Sequence, residues 1–169
     1  MLIAALALTW AAMAWADVAL SLDSFEFDAQ AGLWEYTYEV DNSAGTEYVY
    51  YFELNPVDQA TITGNPSGWD DTYQDTSLGG YTAWNAPDTD DWLSPGGTLS
   101  GFVIESPYGP VNDYVEWFLV TDADGSEGGT TGSYEGYVGG PHIPEPCTLL
   151  LVAAGAGLVL LRRGRARGA

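Results

Sequence analysis

The sequence predicts an all-β domain, an antiparallel β-sandwich of the immunoglobulin-like or jelly-roll type, between an N-terminal signal peptide and a C-terminal transmembrane helix. Short segments of alternating apolar and polar residues fill the middle of the chain, and Gly, Pro, Asn and Asp separate them. No stretch of the middle has the periodicity of an amphipathic helix. The expected boundaries are residues 1–16 for the signal peptide, 17–138 for the sandwich, 139–143 for a linker and 144–167 for a C-terminal signal.

The N-terminal segment predicts export. Residues 2–13 are apolar, and Ala14 and Ala16 place small side chains at the third and first positions before Asp17. This pattern is typical of a secretory signal peptide that is cleaved after Ala16. No Lys or Arg precedes the apolar stretch, so the amine of Met1 supplies its only positive charge.

The start of the expected domain predicts a strand with an irregularity. Leu20 and Leu22 share one phase of the alternation, whereas Phe25 and Phe27 share the other. Because side chains of a strand alternate between its two faces, this change of phase predicts a bulge or bend at residues 23–24.

The clearest strand follows directly. From Trp34 onward, aromatic and aliphatic residues alternate with Glu, Thr, Glu and Asp up to Asp41, which predicts one buried and one solvated face. Residues 42–46 contain Gly45 and form a turn, and residues 48–54 form a second strand. This arrangement predicts a hairpin with a longer loop.

The remaining strands are shorter, and their number supports the sandwich. Together with the strands above they give seven or eight, which suits two packed antiparallel sheets. They are expected at residues 60–63, 80–84, 98–105, 113–121 and 133–138.

The charge of the chain excludes several classes of function. The net charge is −20, from 24 acidic residues and four Arg, and the chain has no Lys. All acidic residues lie within residues 17–145, and every Arg follows residue 161. A nucleic-acid role is excluded because phosphate contacts require Lys or Arg. Cys147 is the only cysteine, so no disulfide framework is expected.

No catalytic residue is assigned, and we expect a protein that is not an enzyme. His142 is the only histidine and falls in the expected linker, so a Ser-His-Asp arrangement has no base and a His-rich zinc site is excluded. A carboxylate-dependent glycoside hydrolase is the enzymatic alternative, since it needs only two suitably placed carboxylates. Carboxylates are too abundant in this chain for the sequence to identify such a pair.

Calcium is the one cofactor that the sequence suggests. Asp122, Asp124 and Glu127 occur at closely spaced positions around Gly125 and resemble half of an EF-hand loop. The third Asp or Asn and the distal bidentate Glu of that loop are missing. The alternative is a solvated acidic turn.

Aromatic residues in turn-rich sequence suggest glycan contact. Trp84 and Trp92 are the candidates, because exposed indole rings stack on sugar rings. The alternative is that these side chains pack in the sandwich core.

The C-terminal segment predicts a short membrane anchor. Residues 147–161 carry no charge. As a helix they would span about 22 Å, less than the roughly 30 Å of a hydrocarbon core. Bilayer thinning and extended Arg side chains can cover the difference. By the positive-inside rule the domain lies outside the cytoplasm. The stop-transfer residues are Arg162, Arg163, Arg165 and Arg167.

Pro144-Glu145-Pro146, the apolar segment and the terminal Arg cluster together resemble the PEP-CTERM sorting signal of exported Gram-negative proteins. The resemblance covers about a seventh of the chain. It implies recognition and cleavage by a membrane-embedded exosortase, and genes of this family often accompany extracellular polysaccharide synthesis. We therefore expect an exported protein, held first at the inner membrane and then in the envelope or extracellular matrix, with a structural or polysaccharide-binding role. A calcium-binding adhesion module is the alternative.

Overall fold

The computed structural model describes residues 18–57, 59–74, 80–127 and 129–142 and confirms an antiparallel β-sandwich. No α-helix occurs in these ranges; the only helical element is the 3₁₀ turn Thr89–Asp91. The described strands are β1 (Ala19–Asp28), β2 (Leu33–Asp41), β3 (Tyr48–Asn55), β4 (Thr61–Gly64), β5 (Asp70–Gln74), β6 (Tyr81–Asn85), β7 (Thr98–Ser106), β8 (Pro110–Asp122) and β9 (Thr131–Pro141).

The strands form two sheets. One has four strands in the order β1-β2-β7-β4, and the other has five in the order β5-β6-β3-β8-β9. Strands β1 and β9 are edge strands, and they contact each other across the gap between the sheets. The residues of the predicted signal peptide and of the predicted C-terminal signal lie outside the described ranges. Within the described ranges, no helix has the length and apolar character needed to span a bilayer.

The aromatic core joins the two sheets. Phe52 of β3 and Phe102 of β7 meet edge to face, with ring centroids 4.6 Å apart. The Trp84 ring stacks on Phe52 at 4.8 Å, and Trp69 lies 5.2 Å from Phe102. Such aromatic pairs add stability beyond the burial of their area, by about 0.5–1.5 kcal/mol each.

The predicted bulge in β1 is confirmed. The pairing of β1 with β2 shifts its register between Leu22 and Ser24. Leu22 pairs with Tyr38 and Phe25 pairs with Tyr36. Since Tyr36 and Tyr38 are both fully buried, the extra residue brings both alternation phases of β1 onto the inner face of the sheet.

The predicted hairpin between the second and third strands is wrong, because β2 and β3 belong to different sheets. Buried Asn42 holds the crossing between them. Its Nδ2 donates to the backbone oxygens of Glu47 (2.8 Å), Leu93 (3.3 Å) and Ser94 (3.1 Å). These bonds tie the end of β2 to the start of β3 and to the loop before β7. Two strands that each bury one face can pack across a core as readily as they can pair side by side.

The predicted linker at residues 139–143 is wrong over its first three residues, which continue β9. Gly140 pairs with Val111, and Pro141 pairs with Pro110. A Cβ at Gly140 would lie only 2.4 Å from Val115 Cγ2, so close packing within the sheet explains this glycine. The Gly-Gly-Pro composition is typical of a flexible linker, although these residues belong to a strand.

The sequence does not predict strand β5, because its first two residues are Asp70 and Asp71 and aspartate is rare in strands. It pairs only with β6, at the edge of the five-stranded sheet, where the charges face solvent. The other predicted strands are found with shifted ends.

We expect Asn42→Ala to lower the free energy of unfolding by about 2–3 kcal/mol, because it removes the hydrogen bonds from Nδ2 to the backbone oxygens of Glu47, Leu93 and Ser94. Asn42→Asp should cost more, since a carboxylate would face those same oxygens. Asn85→Ala, on the outward face of β6, is the matched control and should change stability by less than about 0.5 kcal/mol. Urea denaturation measures all three. Equal effects of Asn42→Ala and Asn85→Ala would contradict the role of Asn42.

Candidate functional site

Trp84 cannot contact a glycan in this fold, so that prediction is wrong and the core-packing alternative is correct. The side chain is fully buried against Phe52 and Phe102. Its Nε1 donates to Asn65 Oδ1 at 2.9 Å, which satisfies the only polar atom of the indole. The alternation along β6 places Trp84 on the same face as buried Thr82.

Trp92 is partly exposed, and its glycan contact stays a prediction. One face of its ring stacks on Tyr50 at 4.8 Å. Its Nε1 donates to the backbone oxygen of Ala86 at 3.0 Å. The indole N–H is therefore already used within the domain, and only the remaining ring surface is available to a ligand.

The acidic loop between β8 and β9 is built around two carboxylates. Asp122 is 2% exposed, and its Oδ1 accepts from the backbone N–H groups of Asp124 (3.0 Å) and Gly125 (2.9 Å). Oδ1 of Asp124 accepts from the backbone N–H of Ser126 (3.1 Å) and from its Oγ (2.6 Å). A Cβ at Gly129 would lie within 2.7 Å of both carboxylates, so Asp122 and Asp124 lie side by side over this glycine.

These contacts explain the electrostatics of the loop. The hydrogen bond from the Ser126 side chain, followed by one with the Asp122 side chain, lowers the pKa of Asp124. In the described part of the chain, no three acidic, His or Cys side chains are arranged to hold a metal ion. Asp122 and Asp124 are thus brought together, but Glu127 does not complete a ligand set with them. Calcium binding at these residues stays a prediction.

His142 is packed on the domain rather than free in a linker. Its ring lies edge to face with Tyr114, with centroids 4.2 Å apart, and its backbone N–H donates to the oxygen of Gly109 at 3.2 Å. The described contacts of His142 are therefore structural.

The outward face of the five-stranded sheet carries a group of side chains that the sequence analysis did not single out. In one cross-strand row Phe118 pairs with Glu53 on one side and with Glu135 on the other. In the next row Glu116 pairs with Tyr137. We call this surface the aromatic–glutamate face; it consists of Tyr51, Glu53, Tyr81, Glu116, Phe118, Glu135 and Tyr137.

The aromatic–glutamate face is shallow and open. The three glutamates and Phe118 line a depression of about 180 Å³. Tyr137 at the edge is 62% exposed. The Tyr51 hydroxyl donates to Glu53 Oε2 at 2.7 Å, which orients that carboxylate. Burial, and then this hydrogen bond and the charge of Glu53, raise the pKa of Tyr51 well above its usual range, so the hydroxyl stays a donor.

The sequence contains part of the pattern that defines the aromatic–glutamate face. Tyr51 and Glu53 have the spacing of one strand face, as do Glu135 and Tyr137. Which of these residues become neighbours depends on the register of β3, β8 and β9, and a single sequence does not specify that register.

Comparison with known proteins finds solved structures that are distantly similar to this chain. No protein-family model and no curated protein sequence matches this chain. An uncharacterized protein from Nocardia farcinica, described as having an immunoglobulin-like fold, is 14% identical with a TM-score of 0.49, and the match covers 68% of this chain and 81% of that one. A GH20 exo-β-N-acetylglucosaminidase from Vibrio harveyi, in complex with N-acetylglucosamine, is 10% identical with a TM-score of 0.42. That match covers 76% of this chain but only 19% of the enzyme.

We expect Ser126→Ala to raise the pKa of Asp124 toward that of an ordinary aspartate, because the carboxylate loses its hydroxyl donor. A lowered folded-state pKa stabilises the fold above the unfolded pKa, and this contribution is lost as the pH falls through the folded value. The variant should therefore lose stability relative to wild type at neutral pH. Ser133→Ala, on the outward face of β9, is the control. NMR titration of the Asp124 carboxyl measures the change, and equal pKa values in wild type and Ser126→Ala would contradict the assignment.

Proposed function

We propose that this chain is an exported, non-catalytic β-sandwich protein that binds neutral polysaccharide through its aromatic–glutamate face. The single observation that carries the proposal is the mixture of side chains on that face. Phe118 and Tyr137 lie next to Glu53, Glu116 and Glu135 in adjacent cross-strand rows. Aromatic rings stack on the apolar side of sugar rings, and carboxylates accept hydrogen bonds from sugar hydroxyls.

The chemistry of the face selects among glycans. The apolar side of a sugar ring can stack on an exposed phenol such as that of Tyr137, while its hydroxyls donate to the glutamates. Residues 18–142 contain no Lys or Arg, so nothing on the domain compensates the charge of an acidic polymer. Repulsion from the surrounding carboxylates therefore favours uncharged polysaccharides.

The shape of the face fits a binding role. The side chains of the face come from β3, β6, β8 and β9, so they extend across most of the sheet and can follow several sugar units of a chain. A glycoside hydrolase surrounds the scissile bond with two carboxylates placed at opposite sides of a cleft. The glutamates here project from one open sheet surface, which supports adhesion rather than hydrolysis.

In this proposal the two termini bring the domain to the cell envelope. Residues 1–16 direct export, and Pro144, Glu145 and Pro146 are read by an exosortase-like protease while residues 147–161 lie in the inner membrane. Processing then transfers the domain to the envelope or the extracellular matrix. Neutral polysaccharide in that matrix is the ligand that the aromatic–glutamate face would meet.

We expect Tyr137→Ala to weaken binding to a neutral glucan about tenfold, because loss of one stacking ring removes roughly 1.4 kcal/mol. Affinity electrophoresis of the full chain through gels containing the glucan measures this. Tyr137 is mostly exposed, so the variant should melt at the wild-type temperature. Glu135→Gln keeps an acceptor and should retain most of the affinity.

Trp92→Ala is the competing variant in the same experiment. Loss of binding in Trp92→Ala with retention in Tyr137→Ala would move the site to Trp92 and contradict the aromatic–glutamate face. Absence of binding to every neutral glucan tested, by a protein that melts cooperatively, would reject the proposed function.

A further inference from the structure

Apolar side chains are exposed together at one end of the sandwich. Phe25 is 52% exposed and Phe27 is 48% exposed. Trp34 is half-buried, and its ring centroid lies 6.0 Å from that of Phe25 and 5.1 Å from that of Phe27. We call Phe25, Phe27 and Trp34 the exit cluster.

The two phenylalanines are core-facing residues without a covering sheet. Phe25 pairs with Tyr36 and Phe27 pairs with Trp34, so both point to the inner side of the four-stranded sheet. Tyr36 is fully buried, whereas the phenylalanines beside it are about half exposed. Both sit on the edge strand β1, in the part of the strand that leads into the β1–β2 turn.

His142, the last described residue, lies beside this cluster. The backbone N–H of His142 donates to Gly109 at 3.2 Å. A Cβ placed on Gly109 would lie 3.6 Å from Trp34 Nε1, so Gly109 packs against the indole. Val111 pairs with Gly140, two residues before His142. The last described residue is therefore fixed next to the exit cluster.

The remaining chain allows little distance from this point to the expected membrane anchor. From His142 to Cys147 there are five residue steps, which span at most about 18 Å when fully extended. We propose that the exit cluster seats the domain on the outer surface of the lipid bilayer while the anchor is in place. This inference rests on the membrane anchoring in the proposed function.

The chemistry of this end specifies the kind of lipid surface. Phenylalanine and tryptophan side chains suit the interface between headgroups and acyl chains. Carboxylates lie close by on the outer side of the same two strands, where Glu26 pairs directly with Glu35. These charges are repelled by anionic headgroups, so the exit cluster fits a zwitterionic phospholipid surface.

Tryptophan quenching by brominated lipid tests the proposal in the full chain. The protein is reconstituted into phosphatidylcholine nanodiscs with or without bromine on the acyl chains, in a background carrying Trp10→Phe and Trp15→Phe. Bromine should quench part of the fluorescence, and Trp34→Phe should remove most of that quenching. Quenching should be weaker in discs that contain phosphatidylglycerol.

Trp92→Phe is the matched control, since Trp92 packs against Tyr50 in another part of the domain, and it should leave the quenching unchanged. Phe25→Ser with Phe27→Ser should reduce the quenching of Trp34 without a change in melting temperature beyond a few degrees. Co-elution with nanodiscs reports the anchoring separately.

The outcomes that overturn the proposal are distinct. If the chain co-elutes with nanodiscs but shows the same quenching with and without Trp34, the membrane anchoring stands and the contact of the exit cluster with lipid is rejected. If the chain does not enter the discs, both the anchoring and the lipid contact are rejected. Absent quenching together with a change of oligomeric state in the double serine variant would assign the exit cluster to a second copy of the chain and overturn the lipid surface.

Discussion

Apolar contact between the two sheets must hold this domain together, because the domain has no Lys or Arg to offset its carboxylates. Residues 18–142 contain no Lys or Arg. The contact of Phe52 with Phe102, flanked by Trp69 and Trp84, provides the attraction between the sheets. Carboxylate repulsion opposes the compact state, and neither Lys nor Arg is available within the domain to reduce it.

Neutral donors take the place that basic side chains have in other proteins. Backbone N–H groups satisfy Asp122, the Tyr51 hydroxyl satisfies Glu53, and the Thr121 hydroxyl donates to Glu47. These bonds position the carboxylates without neutralising them. The same constraint shapes both proposed surfaces. Ordered glutamates on the aromatic–glutamate face accept hydrogen bonds from sugar hydroxyls, and the exit cluster, with no Lys or Arg in the domain, favours lipid without net charge.

The sequence predicted what depends on alternation along one strand. The bulge in β1 and the buried face of β2 followed from the spacing of Leu22, Phe25 and Tyr36. Alternation along one strand does not predict which strands pair with each other. The crossing at Asn42 and the core position of Trp84 depend on which strands belong to each sheet. Gly140 has the composition of a linker, because its packing against Val115 cannot be read from composition. The aromatic–glutamate face depends on the register of four strands, β3, β6, β8 and β9.

The dependence of stability on salt tests the central claim most directly. The free energy of unfolding of the full chain in non-ionic detergent is measured in NaCl between 10 mM and 500 mM. The Debye length falls from about 30 Å at the lowest salt to under 10 Å above 0.1 M, so carboxylate repulsion is progressively screened. The account predicts stability that rises steadily with salt. Stability that falls over this range would show that attractive charge pairs hold the fold and would contradict it.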